Sequence, residues 1–202
     1  MSINDLASWL DTEPVTFKAK PPIRQVDTRP RKHILPSEFD ALCAAARRST
    51  TSARDLALCM LAYRHGLRKD ELRTVQWAQL DDVGRTLAVK RDKTGTAATH
   101  PVQPDTWKAL AKLTRNGPYV FHNAHGGATG AATVHGVFAR LSVAAGLPFK
   151  VNPHMMRHGC GYYLANAGVA TRTIQVYLGH RSIQSTERYT ALAPDAFRNL
   201  WK

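Results

Sequence analysis

The apolar and polar positions of this chain mostly repeat with the period of an α-helix. Such patterns predict helices over residues 37–47, 52–65, 105–113 and 132–145, and the second of these is apolar nearly all round, as in a buried helix. Residues 86–90 and 99–102 instead alternate with the period of a strand around a Lys-Thr-Gly turn, which predicts a β-hairpin with a basic tip. The pattern therefore indicates a mainly α fold with a small antiparallel β-sheet (α+β).

Short helices with polar ends are predicted between Asn152 and Thr190. Asn152 followed by Pro153 is typical of an N-cap and a first helical residue, so His154 falls in the first turn, where free backbone N–H groups attract anions. Arg157 lies three residues later and therefore shares a helix face with His154.

Two more helices follow in this stretch. Thr171 is predicted to cap the first of them, and Gly179 to end it as a left-handed C-cap, which leaves His180 in a tight turn. Ser182 is predicted to cap the next helix, which carries Tyr189 near its end.

A helix N-terminus, an arginine, histidines and a tyrosine together suit a phosphate group with a phenol nearby as nucleophile. Each residue also has an ordinary interpretation, since a lone tyrosine on a short helix usually packs with its hydroxyl at the surface. His154 and His158 are spaced like half a zinc site, but the glutamate of a zinc-protease helix is missing and Arg157 would repel a dication. We therefore expect no metal.

The segment GLRKDEL places Glu71 three residues after Arg68. On spacing alone this is an ordinary surface ion pair, although a buried carboxylate would orient the guanidinium. Lys93, at the tip of the predicted hairpin, is on the same grounds an ordinary solvated lysine.

The charge balance indicates a polyanionic partner. The chain has 28 Lys and Arg against 15 Asp and Glu, a net charge of +13 and a pI near 10.1, which favours nucleic acid. After a short predicted helix at 2–10, residues 18–32 form a Pro-rich basic arm that either follows a DNA backbone or is a solvated leader. No apolar run approaches the length of a membrane span, so no membrane is expected. Three scattered cysteines are expected to be buried free thiols in a reducing cytoplasm: Cys43, Cys59 and Cys160.

Taken together, these motifs resemble the tyrosine recombinase (phage integrase) family. The resemblance covers residues 33–202, the catalytic domain of the family, and leaves residues 1–32 as a short helix and basic arm where most members carry a core-binding domain. It is strongest to the short fimbrial phase-variation invertases, which share the overall length and the runs HMMRH and YLGHRSIQ. The matching motifs, in order, are GLRKDEL with Arg68 and Glu71, KRDKTGT with Lys93, HMMRH with His154 and Arg157, LGH with His180, and ERY with Tyr189.

The resemblance implies a mechanism. Tyr189 would attack a DNA phosphate, form a 3′-phosphotyrosine and release a 5′-hydroxyl, while Arg68, Arg157 and His180 hold the phosphate oxygens. His154 would accept the proton of Tyr189, and Lys93 would protonate the leaving oxygen. Glu71 would support Arg68, and neither a metal nor a cofactor is required.

The resemblance also implies partners. These are double-stranded DNA with specific recombination sites, and further copies of the chain in a tetrameric synapse formed through an exchanged C-terminal segment at 191–202. A DNA-bending accessory protein is a further candidate partner. The expected location is the bacterial cytoplasm, with the protein at the nucleoid when bound to DNA. Residues expected to contact DNA are Lys18, Lys20, Arg24, Arg29, Arg31, Lys32, Lys90, Arg91 and Arg181.

Three alternatives stay open at this point. A DNA-binding regulator with the same fold would not cut, although such a protein has no need of Tyr189. A type IB topoisomerase-like enzyme would relax DNA by the same covalent chemistry, and a metal-dependent nuclease would lose activity in EDTA. Among recombination outcomes, inversion is expected from the similarity to the fimbrial invertases, with excision and integration as the other outcomes.

Overall fold

A computed structural model describes residues 31–90 and 98–190 of the chain. These residues form eight α-helices and three strands, so the predicted mainly α fold with a small antiparallel sheet is confirmed. The helices are α1 (Pro36–Arg47), α2 (Ser52–Arg64), α3 (Lys69–Thr74), α4 (Pro104–Leu110), α5 (Ala131–Ala144), α6 (Pro153–Asn166), α7 (Thr171–Leu178) and α8 (Gln184–Thr190), with one 3-10 turn at Trp77–Gln79.

The sheet has three antiparallel strands in the order β1 (Leu80–Asp81), β2 (Thr86–Val89) and β3 (Ala98–Pro101). Strands β2 and β3 pair from Thr86 with Pro101 to Val89 with Ala98, which is the predicted hairpin. Strand β1 was not predicted, because two residues are too few to show an alternating pattern. The hairpin tip with Arg91 and Lys93 lies outside the described residues.

Helix α2 is the centre of the main core and contacts α1, α3, α4, α5 and α6. Its residues from Ala57 to Tyr63 are all buried, as its continuous apolar pattern predicts. A second, smaller core joins α6, α7 and α8 through Cys160, Ile174, Leu178 and Tyr189. The predicted nucleophile is therefore also a packing residue of this small core.

Several predicted caps are displaced by one or two residues. Helix α1 begins at Pro36, one residue before the predicted start at residue 37, and the Glu38 side chain accepts a hydrogen bond from the Leu35 N–H at 2.7 Å. Helix α7 is preceded by Ala170, so Thr171 is its first residue rather than its cap. Helix α8 begins at Gln184, two residues after the predicted Ser182 cap.

Three other local predictions are confirmed: the Asn152 cap, the Gly179 turn and the buried cysteines. The Asn152 side chain accepts hydrogen bonds from the N–H groups of His154 and Met155, both at 3.0 Å, and so caps α6. Gly179 ends α7 in the left-handed region with φ 62°. The three cysteines are buried free thiols. Among the described residues, no helix is both long and apolar enough to cross a membrane.

Candidate active site

Two arginines from distant parts of the chain meet at the end of α7. Arg68 precedes α3 and donates to the Gly179 carbonyl at 2.9 Å, while Arg157 of α6 donates to the Leu178 carbonyl at 2.6 Å. Arg157 also donates to the Gly66 carbonyl at 2.6 Å and is only 4% exposed. Since the two guanidinium groups bind consecutive carbonyls, they lie side by side directly before His180.

Glu71 holds Arg68 in place. One carboxylate oxygen accepts from the Arg68 guanidinium and the other from the Arg68 N–H, both at 2.8 Å. The Glu71 side chain is 9% exposed and that of Arg68 35%. The pair is therefore partly buried. The prediction of an ordinary surface pair, made from spacing alone, is wrong.

His180 is held by its neighbours in the turn after α7. Its Nδ1 lies 2.9 Å from the Thr186 hydroxyl, and its carbonyl accepts from the Gln175 side chain at 3.1 Å. Its ring plane is inclined by 27° to that of Tyr189, with centroids 6.0 Å apart. Thr186 was missed by the sequence reasoning, although its position on α8, one turn before Tyr189, is a helical signal for a shared face.

Tyr189 is packed rather than exposed. The residue is 1% exposed, its ring lies against Tyr162 in an edge-to-face contact, and its hydroxyl lies 2.8 Å from His158 Nδ1. Helix α6 accommodates this ring only because residue 161 is glycine, since a Cβ there would lie 2.6 Å from the Tyr189 ring.

His158 is the main residue that the sequence reasoning missed. Its spacing from His154 suggests only half of a metal site, yet it lies between His154 and Tyr189, with its Nε2 2.8 Å from His154 Nε2. The spacing of four residues on α6 places the two imidazoles together. His154 is exposed and lies at the helix start, whereas His158 is buried one turn further in.

Burial favours the neutral forms of His154, His158 and Tyr189. Burial lowers the pKa of His158 to about 4, with further contributions from His154, Arg188 and Arg157. Burial also lowers the pKa of His154, helped by Arg157, Arg188 and Arg68. For Tyr189, burial raises the phenol pKa while Arg157 and Arg188 act in the opposite direction. Arg188 was also missed, because an exposed arginine on a short helix carries no distinctive pattern.

The predicted DNA-contacting residues are only partly described. Lys32, Lys90 and Arg181 are exposed. Arg31 instead pairs with Glu38 and lies over the Phe149 ring, 5.7 Å from its centroid, so its charge is partly engaged within the protein. Five of these residues, Lys18, Lys20, Arg24, Arg29 and Arg91, and the predicted exchange segment at 191–202, lie outside the described residues.

The described part of the site thus combines two adjacent guanidinium groups, the imidazole of His180, and the Tyr189 phenol, which is hydrogen-bonded to the imidazole of His158. Cations beside a potential oxygen nucleophile can bind a phosphodiester and stabilise the charge that develops during its displacement. Within residues 31–90 and 98–190, no group of three or more His, Cys, Asp or Glu side chains is arranged to hold a metal ion.

Comparison with known proteins agrees with this chemistry. The chain is 34% identical over 181 residues to the type 1 fimbriae regulatory protein FimE of Escherichia coli (strain K12), a match that covers 85% of this chain and 91% of that protein. The crystal structure of XerA recombinase superimposes with a TM-score of 0.70 at 26% identity, covering 82% of this chain and 62% of that one. This chain therefore spans about three-fifths of the XerA chain.

A third likeness concerns the fold alone. The Tn1549 transposon integrase, solved in complex with a circular intermediate DNA, superimposes with a TM-score of 0.69 at 22% identity, covering 81% of this chain and 62% of that one.

The family model described as the phage integrase family matches residues 32–195. The resemblance predicted from the sequence is thus confirmed, and the chain belongs to the phage integrase family, the tyrosine recombinases.

Proposed function

We propose that this chain is a site-specific DNA recombinase that cuts and rejoins DNA through a covalent link to Tyr189 and inverts the segment between two sites. The observation that carries the proposal is that Arg68 and Arg157 bind consecutive carbonyls directly before His180, whose ring centroid lies 6.0 Å from that of Tyr189. Among the recombination outcomes, inversion is favoured by the resemblance to the fimbrial invertases. The match to the fimbriae regulatory protein FimE covers 91% of that protein.

The arginines and His180 bind the non-bridging oxygens of the scissile phosphate. In the displacement the phosphorus passes through a pentacoordinate arrangement with extra negative charge, which fixed cations stabilise. Glu71 keeps the Arg68 guanidinium in one orientation. Lys93, by analogy with the family, protonates the 5′-oxygen that leaves. The phosphodiester energy is kept in the tyrosine link, so rejoining requires no nucleotide.

Double-stranded DNA is the substrate. The net charge of +13 and the exposed Lys32, Lys90 and Arg181 favour a phosphate backbone. In the sequence, the basic arm before residue 33 and the hairpin segment around Lys93 carry further positive charges. Strand exchange requires two sites, so we further propose a tetramer on DNA in which segment 191–202 of one copy docks on the next, with a DNA-bending protein as an accessory.

The first experiment asks whether the protein forms a covalent adduct with DNA. Duplexes that bind the protein are selected from a random library, and the selected site is rebuilt with a nick beside the cleavage position, which traps the intermediate. We expect a protein–DNA adduct on a denaturing gel in the presence of EDTA, and none with Tyr189→Phe. Specific binding without an adduct would overturn the proposal in favour of a non-cutting regulator.

A second assay separates recombination from relaxation. A plasmid with two selected sites in inverted orientation is incubated with the protein, and inversion is read from the restriction pattern. A matched plasmid without sites is the control. Relaxation of both plasmids without inversion would contradict the proposal and identify a topoisomerase-like activity.

A further inference from the structure

A continuous chain of hydrogen bonds runs from the buried phenol to the exposed start of α6. The Tyr189 hydroxyl lies 2.8 Å from His158 Nδ1, and the opposite nitrogen of that ring, Nε2, lies 2.8 Å from His154 Nε2. His154 is at the surface, whereas His158 is 8% exposed and Tyr189 1%. The first imidazole in contact with the reacting oxygen is therefore His158.

The hydrogen-bond partners indicate which ring nitrogens of His158 and His154 carry a proton. A neutral imidazole has one N–H donor and one acceptor nitrogen. Among the described residues, His158 Nδ1 is the hydrogen-bond partner found for the Tyr189 hydroxyl. If the phenol donates to Nδ1, then the N–H of His158 is on Nε2 and donates to His154 Nε2. His154 then carries its own proton on Nδ1. In this arrangement each of the three groups donates in the same direction, towards solvent.

On the basis of the proposed function, we propose that His158 takes the proton of Tyr189 during cleavage and that His154 is the outer member of a two-imidazole relay. This assigns a catalytic role to a residue outside the set predicted from the family motifs. It also changes the role of His154, which acts on Tyr189 through His158.

The cleavage step moves three protons along the relay and exchanges one P–O bond for another. The Tyr189 hydroxyl proton moves to His158 Nδ1, the His158 Nε2 proton moves to His154 Nε2, and the His154 Nδ1 proton passes to water. The electron pair left on the phenol oxygen forms the new P–O bond. The bond from phosphorus to the 5′-oxygen breaks, and that oxygen takes a proton from the proposed general acid, Lys93, which regains one from water, and leaves as a hydroxyl. Rejoining reverses each transfer and restores the three groups.

The surroundings of the relay favour neutral imidazoles. His158 faces His154 and Arg157 on its own helix, Arg188 from α8 and His33 from the segment before α1, and burial together with these groups lowers its pKa. Arg68, before α3, also acts on His154. Both rings are therefore free of an extra proton near neutral pH, and each can accept one while it gives one up.

The decisive variants are His158→Ala and His158→Asn in the adduct assay on the nicked selected duplex. Asparagine places an amide oxygen near the position of Nδ1, so it retains a hydrogen-bond acceptor for Tyr189 but cannot take up a proton. We expect both variants to cleave about 100-fold more slowly or worse, as for the loss of a general base. His135→Asn, an exposed histidine on α5, is the matched control and should cleave at the wild-type rate.

The pH profile separates proton transfer from positioning. In the wild type the cleavage rate should level off once both imidazoles are neutral. In His158→Asn the phenol must lose its proton to hydroxide, so the rate should rise about tenfold per pH unit towards the phenol pKa. A His158→Asn variant that cleaves at the wild-type rate with an unchanged profile would overturn the relay and leave the proposed function intact. No adduct from the wild-type protein would overturn both.

A measurement on the wild-type protein without DNA tests the relay even if the variants fail to fold. Long-range 1H–15N spectra of histidine-labelled protein report which ring nitrogen carries the proton. We expect the Nε2–H form for His158 and the Nδ1–H form for His154. A proton on Nδ1 of His158 would overturn the assigned direction of transfer, because that nitrogen could not then accept from Tyr189.

Discussion

At the scale of single residues, the site depends on side chains that hold other side chains. The Thr186 hydroxyl binds His180, Glu71 binds Arg68, and His158 binds both His154 and Tyr189. Thr186 and Glu71 need not touch DNA in order to affect the proposed cleavage, whereas His158 in addition takes up a proton in the proposed relay. Their common effect is to fix the orientation of a ring or a guanidinium group before a phosphate arrives, which lowers the cost of organising the transition state.

Replacing Thr186 by valine should weaken catalysis without unfolding the protein. Thr186 is fully buried and its hydroxyl lies 2.9 Å from His180 Nδ1, while valine preserves the shape. Loss of a hydrogen bond that contributes about 1 kcal/mol corresponds to a roughly fivefold slower cleavage. The rate is measured in the adduct assay, with the exposed Thr173→Val on α7 as control. An unchanged rate would show that the turn alone orients His180.

The stability of the protein should fall in mild acid because of His158. Its folded pKa of about 4 lies below the value of 6.5 for the free side chain. Between these values the unfolded chain binds more protons than the folded one, so the free energy of unfolding decreases as pH falls from about 6.5 towards about 4. Burial also lowers the pKa values of His154 and His33, so these two residues contribute to the loss of stability in acid with the same sign.

Denaturant unfolding at about pH 7.5 and about pH 5 measures this effect. From the shift of His158 alone, we expect the wild type to lose about 2 kcal/mol more than His158→Asn between the two conditions. Equal losses in the two proteins would mean that His158 is not the buried neutral histidine inferred from the fold.

At the scale of helices, α6 is shaped by its glycines and its cap. Gly159 allows contact with Tyr63 of α2 and with Ile34 before α1, and Gly161 allows contact with the Tyr189 ring. Glycine inside a helix normally lowers stability relative to alanine. In α6 that cost is offset by close packing on two sides, which brings the helix of His154, Arg157 and His158 up against α8.

Two glycine-to-alanine changes test this interpretation of α6. Gly136 lies in α5 with open space where a Cβ would be, so Gly136→Ala should raise the free energy of unfolding by up to about 1 kcal/mol. Gly161→Ala forces the Tyr189 ring to move, so it should lower stability by about 1 to 3 kcal/mol and slow cleavage. Chemical denaturation and the adduct assay give the two readouts. Stabilisation by both changes would contradict the close contact between α6 and Tyr189.

At the scale of the whole molecule, the positive net charge of the chain favours binding to DNA. A net charge of +13 on 202 residues favours association with any duplex, whereas selection of a site requires contacts with base edges. Lys32, Lys90 and Arg181 are exposed on the described surface, and we propose that they contact the DNA backbone. Tyr189 is nearly fully buried, so in the proposed mechanism its phenol has to become accessible to a phosphate when DNA binds.

Binding to the selected duplex should depend steeply on salt. If the protein neutralises six to ten phosphates, its affinity should fall by about 10³- to 10⁵-fold between 50 and 200 mM salt. Arg181→Ala should reduce the slope of log affinity against log salt by about one, since one phosphate contact is lost. Fluorescence anisotropy measures both quantities. A flat salt dependence would show that the basic residues do not contact the backbone.

The sequence by itself determined the class of fold, the hairpin, the Asn152 cap, the Gly179 turn and the family. These features depend on local patterns or on short motifs, whose physical causes lie within a few residues of each other. The starts of α1, α7 and α8 differ from the predicted ones by one or two residues. At α1 the Glu38 side chain accepts from the Leu35 N–H, and α7 begins after Ala170 without a side-chain cap. Strand β1 was too short to leave a pattern.

Only the tertiary structure decided how the site is connected. The sequence could not tell a surface pair from a partly buried one at Arg68 and Glu71, because burial depends on where α7 ends against α3. Nor could it show that Tyr189 contacts His158 rather than His154, since both histidines lie on one face of α6 and the choice depends on how α8 packs. Contacts between residues 31 to 111 positions apart are set by the packing of whole helices, and local periodicity does not contain that information.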